Sequence, residues 1–463
     1  MSLAKDAAAL VVGVVVLLTS AGGLFTLLSD RNPTGAAPES VVKQADLPKK
    51  FDLRDEGWVT PPRYQEMFNT CTVFAAAASM ESALLRKGLR SSPDLSEWHL
   101  YNAVYNEESM AEQTDPMMEG TTFMDVAQAL SKWYGAADEV PFPYGEAPAE
   151  LWIEAIKISS YRLEGAVFFQ SPHDDESRED LKREIIARGA LATTISGDSC
   201  RVGGDTCNTL GLGESRHAIA IIGWDDNYDR SKFTPASQND GAWIIKNSDW
   251  NPDGSGGFRY LSYEDVSIEE AWAFDVDLAG DGFGKAYFYD TTEIMPYSSA
   301  YGSVENGEKA RITLANQFEA DDDTVTILDS VSFVTGDPHL SYEVDIYLTE
   351  DSDDGELMLT ERVPVGSNGA MSISGELSHP GLHVIDLHGN PSIPPDHRFA
   401  VVITLTSQDD GRAIDIYREH KKSSEDNFKI NSGESFIYDD DWEDIANYNS
   451  DYWGNLPIKV YTS

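Results

Sequence analysis

A change of period divides this sequence. In its first part, apolar residues recur at helical spacing. "CTVFAAAASMESALLR" (71–86) is alanine-rich, basic in its last turn and followed by Gly88, so it reads as a helix with a glycine stop. Asn69 or Thr70 can cap its start. "TFMDVAQALSKWY" and "SREDLKREIIARG" read as two more helices. After residue 190 the pattern turns to short β-branched runs bounded by turn residues: "RHAIAIIGW", "GAWIIKNS" and "GGFRYLSYED". Helices first and a mostly antiparallel sheet second predict an α+β domain. From about residue 283 the helical signals cease. "KAYFYDTT", "ARITLANQFEA", "TVTILDSVSFVTG", "SYEVDIYLTED", "LHVIDL", "RFAVVITLTS" and "PIKVYTS" are strand-like, which predicts an all-β sandwich over 283–463. No repeat of fixed period is visible.

Residues 7–28 carry no charge. That run is long enough to cross a bilayer, where ~20 residues are needed. It reads as an N-terminal transmembrane helix, with a cleaved signal peptide as the alternative. Residues 29–50, rich in Pro, Ala and Ser, read as a linker, and the first domain as 51–275. The expected location is the cell membrane with the folded mass outside, or secretion if the segment is cleaved.

The chain has 79 acidic and 34 basic residues and a net charge of −45. Nucleic-acid binding needs a basic footprint and is excluded. The acid is spread along the whole chain, which predicts a salt-adapted surface. "WDDNYD" and "YDDDWED" lack the spacing of a calcium-binding loop, so neither metal nor cofactor is expected.

Of three cysteines, Cys200 and Cys207 lie close together in a Gly-rich loop and could form a disulfide outside the cell. Cys71 is then the odd free thiol, at the start of the alanine-rich helix. A cysteine nucleophile needs a lowered pKa, a base and an oxyanion hole. The helix dipole and an imidazolium supply the first. Among nine histidines, His217 stands out because it opens the apolar run "HAIAIIGW". Asn247, at the end of "AWIIKN", can orient it from an adjacent strand. Gln65 can place an amide beside the Cys71 N–H.

The order Gln65, Cys71, His217, Asn247 resembles that of the papain-like cysteine peptidases. "DLRDEGWVTPPRYQ" is similar to that family's mature N-terminus, "DLSEWHL" to its "LSEQ-L" segment, and "IIKNS" and "GGFRYLSY" to its Asn loop and the strand that follows. The resemblance implies a two-lobed domain, a helical lobe then an antiparallel β lobe, that hydrolyses peptide bonds. It also implies that Glu119-Gly120, where the family has Gly-Gly, holds the substrate backbone. The chain departs from the family at Glu66, usually Gly, at Thr72, usually Trp, and at Asp249, which separates "KNS" from Trp250. The C-terminal region resembles the lectin-like domain of some archaeal and bacterial surface peptidases, which implies a carbohydrate or surface ligand there. A different class stays open: a surface adhesion or binding protein that keeps the fold and lacks activity.

Overall fold

Helix α1, Cys71–Lys87, is the axis of the first domain, and every residue from Thr72 to Leu84 is buried. That burial accounts for its alanines: small side chains let neighbours close on a helix from all sides. Arg86 and Lys87 lie in its last turn, and Gly88 ends it at a left-handed φ of 68°, the usual glycine C-terminal geometry. Its start departs from expectation. Thr70 holds the capping position, yet its side chain makes no capping bond. The hydroxyl lies instead 2.8 Å from that of Tyr144.

The computed structural model describes residues 19–20, 23–24 and 47–462, except 106–119, 146–156, 201–203, 212, 214–215, 250–255, 280–283, 291–293, 299–308, 322, 351–355, 410–412, 421–429 and 449–453. The stretch 7–28, read as a membrane helix, therefore lies outside the described residues apart from four. At those four the expectation is corrected: Thr19–Ser20 pairs antiparallel with Gly23–Leu24. Among the described residues no helix is long and apolar enough to cross a membrane.

Helices α2 (Glu97–Tyr105) and α3 (Phe123–Ala129) pack beside α1. A capping box of Thr122 and Asp125 starts α3, which continues as a π-helical turn over Leu130–Tyr134. Helix α4, Asp175–Arg188, is capped by Asp174. The sheet comprises β1 (Lys50–Asp52), β2 (Tyr161–Phe169), β3 (Leu191–Ser196), β4 (Arg216–Asp225), β5 (Ala242–Lys246), β6 (Phe258–Ser262) and β7 (Ala271–Leu278). Its order is β2-β7-β3-β4-β5-β6, all antiparallel, with β1 also on β4. Serines on the buried helix pin it to the sheet lobe. Ser79 Oγ accepts from the Phe274 N–H at 3.1 Å and Ser82 Oγ from the Ala190 N–H at 2.9 Å. Strand β1 moves the domain boundary. Residues 47–50, assigned to the linker from composition, belong to the fold, because Lys50 pairs with Asp225 and Trp224 Nε1 donates to the Pro48 carbonyl at 2.9 Å.

The second domain is β-rich. One sheet contains β8 (Arg311–Glu319), β10 (Leu340–Glu350) and β12 (Arg398–Ser407). The other contains β9 (Thr326–Thr335), β11 (Gly381–Asp386) and β13 (Lys459–Thr462). Leu314, Val331, Phe333, Val344, Phe399 and Val401 belong to the one apolar cluster joining them.

The two domains share a sheet. Strand β11 pairs with β2, Gly381 opposite Val167 and His383 opposite Gly165, so one continuous sheet runs through both. Gly381 permits the crossing: its φ is 137°, and a Cβ there would lie 2.2 Å from the Ala166 carbonyl oxygen.

Candidate active site

Cys71 is the first residue of α1, half-buried and free. His217 is the second residue of β4, and Asn247 directly follows β5, the next strand in the sheet. Strand pairing therefore brings two side chains thirty positions apart in sequence to the start of the helix. His217 Nε2 lies 2.7 Å from Asn247 Oδ1. That engagement leaves Nδ1 to face the Cys71 sulfur, with which the imidazole is hydrogen-bonded. Asn247 is buried, donates from Nδ2 to the Asp249 carbonyl at 2.6 Å and receives the Asp249 N–H at 3.3 Å. A neutral amide held in this way fixes the imidazole ring without taking its proton.

The electrostatics favour a charged pair. Burial pushes the Cys71 thiol up, but the hydrogen bond and charge of His217, with the Ala218 N–H and Thr72, outweigh it and bring the thiol below its ordinary value. Burial pushes the His217 imidazole down, but Cys71 and Asn247 outweigh it and raise it above the ordinary value. Opposite shifts in two interacting groups are the direction that favours a thiolate beside an imidazolium.

Gln65 is buried six positions before Cys71, and Ser248 braces it. Ser248 Oγ donates to Gln65 Oε1 at 2.7 Å, and the Gln65 N–H donates to the Ser248 carbonyl at 3.0 Å. Gln65 Nε2 donates one proton to the Phe68 carbonyl at 2.7 Å. The second amide proton and the uncapped end of α1 are the donors this corner offers a developing oxyanion. Glu66 takes a left-handed backbone, φ 59°, which explains why the resembling family prefers glycine there. Thr72 Oγ1 donates to the Thr121 carbonyl at 2.9 Å. This bond holds the segment containing exposed Gly120 next to the start of α1. Glu119 and Trp250 lie outside the described residues.

Cys200 and Cys207 are joined by a disulfide away from this corner, with Cys207 in the core of the β lobe. The sequence reading missed Ser248, Tyr144 and a buried ionic cluster beside Asn247. In that cluster Lys246 Nζ donates to Thr60 Oγ1 at 2.7 Å and lies 3.6 Å from Glu81 Oε2. Arg63 meets Glu97 at 3.1 Å. Burial lifts the Glu97 carboxyl to about 8 against the pull of Arg63. Lys246 and Ser248 adjoin Asn247 and Arg63 lies two positions before Gln65, whereas Tyr144, Glu81 and Glu97 carry no such signal in the sequence. Among the described residues, no group of three or more His, Cys, Asp or Glu is arranged to hold a metal ion.

Comparison with known proteins matches residues 47–273 to the papain family cysteine protease model and residues 295–462 to the lectin like domain model. Probable cysteine protease RD19C of Arabidopsis thaliana is 26% identical over 225 residues, which cover 47% of this chain and 57% of that protein. Cathepsin O of Homo sapiens is 24% identical over 220 residues, 46% of this chain and 61% of that protein. The chain thus spans 57% and 61% of the length of these two curated relatives. Among solved structures, the cysteine protease and lectin-like domains of Cwp84, a surface layer associated protein of Clostridium difficile, superpose with a TM-score of 0.70 at 23% identity. They cover 91% of this chain and 89% of that one. Clostridial cysteine protease Cwp84 after propeptide cleavage gives 0.71 at 23% identity, over 89% and 99% of the two chains. At that identity the likeness concerns the fold, a protease domain followed by a lectin-like one.

Proposed function

Residues 47–273 belong to the papain family of cysteine proteases and residues 295–462 form a lectin-like domain, and from that premise we propose that the chain hydrolyses peptide bonds through Cys71, His217 and Asn247. The observation that carries this reading is His217 held between the Cys71 thiol and the Asn247 amide. The Cys71 thiolate attacks the scissile carbonyl carbon. The carbonyl oxygen takes up the negative charge, facing the Gln65 amide and the Cys71 N–H. The intermediate collapses as imidazolium His217 protonates the leaving amine, which departs and leaves an acyl-thioester on Cys71. Neutral His217 then takes a proton from water, the hydroxide attacks the thioester, and the thiolate is expelled with the carboxylic acid product. Gly120, with Glu119, pairs with the substrate backbone.

The proposal extends to location. The disulfide between Cys200 and Cys207 supports placing both domains outside the cell, at the cell membrane, and the uncharged run over 7–28 supplies apolar length for attachment, though not as one spanning helix. Secretion after cleavage is the alternative, and N-terminal sequencing of the protein from its host separates the two. The lectin-like domain then offers a site for a carbohydrate or another surface ligand.

The test of the chemistry is Cys71→Ser in the full chain, assayed on a fluorogenic peptide library with circular dichroism alongside. The reading requires loss of hydrolysis with an unchanged spectrum. Unchanged turnover would exclude Cys71 as nucleophile and favour the alternative of a non-catalytic surface protein.

A further inference from the structure

The two donors proposed for the oxyanion sit at opposite ends of one short loop: Gln65 at its start and the Cys71 N–H just past its end. Between them stand Glu66, in a left-handed backbone conformation, and Met67, 81% exposed. Such a loop needs support from outside to hold its ends at a set separation.

Ser248 braces the Gln65 end, and one hydroxyl joins the two ends. Tyr144 Oη lies 2.9 Å from the Gln65 carbonyl oxygen and 2.8 Å from Thr70 Oγ1. A phenol carries one proton, and a carbonyl can only accept. Tyr144 therefore donates to Gln65, and Thr70 donates to Tyr144. The Thr70 hydroxyl serves the loop while helix α1 goes without a side-chain cap.

Tyr144 is itself held in place. Its N–H donates to Glu139 Oε1 at 2.8 Å. Its ring packs edge-on against Phe74 of α1, with centroids 4.9 Å apart, and against Phe68 of the loop at 6.4 Å. Burial pushes its hydroxyl up to about 12, against the opposing bond from Thr70, so it stays protonated and remains a donor at neutral pH.

We infer that Tyr144 is a positioning residue for the oxyanion hole: its hydroxyl ties Gln65 to Thr70 and so sets the distance between the Gln65 amide and the Cys71 N–H. This inference rests on the peptidase reading above. Removing one oxyanion donor costs ~10²–10³ in kcat. Here both donors stay and are allowed to drift, so a loss of about tenfold is expected.

The test uses Tyr144→Phe and Thr70→Val in the full chain, each checked for its melting temperature. Two rates are read: peptide hydrolysis, and alkylation of Cys71 by iodoacetamide. In alkylation the S–C bond forms as the C–I bond breaks and iodide leaves. No carbonyl becomes an oxyanion, so this rate reports the thiolate and is blind to the hole. Tyr144→Phe should lower kcat about tenfold, with KM and the alkylation rate within about twofold of the parent. Thr70→Val, which keeps the bond to Gln65, should show the same pattern with a smaller loss, and it decides the matter if the phenylalanine variant does not fold. An unchanged kcat, or an alkylation rate that falls in step with kcat, overturns the inference. A parent chain that alkylates slowly and hydrolyses nothing overturns the peptidase reading, and this inference falls with it.

Discussion

Lys459 and Asp290 form an ion pair of 2.5 Å with neither side chain exposed. Asp290 also accepts from Gln128 Nε2 of α3 at 3.1 Å, so the last strand of the second domain is tied to a helix of the first. Nearby, Tyr461 Oη donates to the Ser131 carbonyl at 2.5 Å. With the β2–β11 pairing, these bonds tie the two domains together, which predicts that they unfold as one unit.

Breaking that pair from one side should be severe. Asp290→Ala removes the carboxylate that pairs with the buried Lys459 ammonium, a loss that typically costs about 3–5 kcal/mol. Replacing both residues, Asp290→Leu with Lys459→Met, removes both charges and should restore most of the loss. Thermal unfolding followed by calorimetry checks both variants. The parent should melt in one transition spanning both domains. Two separate transitions, or a single variant costing less than about 1 kcal/mol, would contradict the shared unit.

The pH profile should narrow from the alkaline side when Asn247 is removed. In the proposed mechanism, peptide hydrolysis needs a Cys71 thiolate together with a His217 imidazolium. Activity therefore rises as Cys71 loses its proton, below the ordinary thiol range, and falls as His217 loses its own, above the ordinary imidazole range. In Asn247→Ala the imidazolium loses the acceptor at Nε2. The alkaline limb should move to lower pH. The acid limb is Cys71 losing its proton beside an imidazolium that is present before and after, so it should stay in place. The maximal kcat/KM should drop by about 10²-fold. A profile that only scales down, with both limbs in place, would show that Asn247 does not tune the pair.

Glu66 combines two costs that can be separated. Its left-handed backbone carries strain of about 1 kcal/mol for a side chain other than glycine or asparagine, and its carboxylate lies beside the residue proposed to hold the oxyanion. Glu66→Gln removes the charge alone and should raise kcat a few-fold without a change in melting temperature. Glu66→Asn should raise both, since asparagine tolerates this conformation. A kcat that responds to neither variant would show that the loop keeps the carboxylate turned away from the reacting carbonyl.

Stability should rise with salt. A net charge of −45 places like charges close together over the surface, and the repulsion opposes the compact state. The screening length is ~10 Å at 0.1 M and ~3 Å at 1 M, so molar salt confines each charge to its neighbours. Melting temperature and activity measured from 0.1 M to 1 M potassium chloride should both increase. A flat or falling melting curve would show that the acidic residues are already compensated.

Much of the site could be read without a fold because its signals are local. Cys71 announces itself by preceding a run of alanines, His217 by opening an apolar strand, and Asn247 by closing another. Helix α1 and strands β4, β5 and β6 have hydrophobic periods and stop signals within a dozen residues. Helix α2 was missed because "EWHLYNAVY" is short, and its start lies within "DLSEWHL", which was read only for its resemblance. Strands β2, β3 and β7 were missed for a related reason. "YRLEGAVFF", "LATTIS" and "AWAFDVDL" mix strand formers with Gly, Ala and Asp, and only pairing with one another settles them.

The sequence by itself determined which residues could do chemistry, where the alanine-rich helix runs and where the helical half gives way to strands, because each of these is written in neighbouring residues. Tertiary structure alone decided that β11 adds to the edge of β2, that Lys459 and Asp290 are interior, and that the Thr70 hydroxyl leaves its own helix for Tyr144. The reason is the same in all three cases. A strand edge, a lysine or a threonine hydroxyl has bonding capacity that water satisfies equally well. Only the folded chain, by excluding water and bringing a distant partner within hydrogen-bonding distance, determines which bond is made.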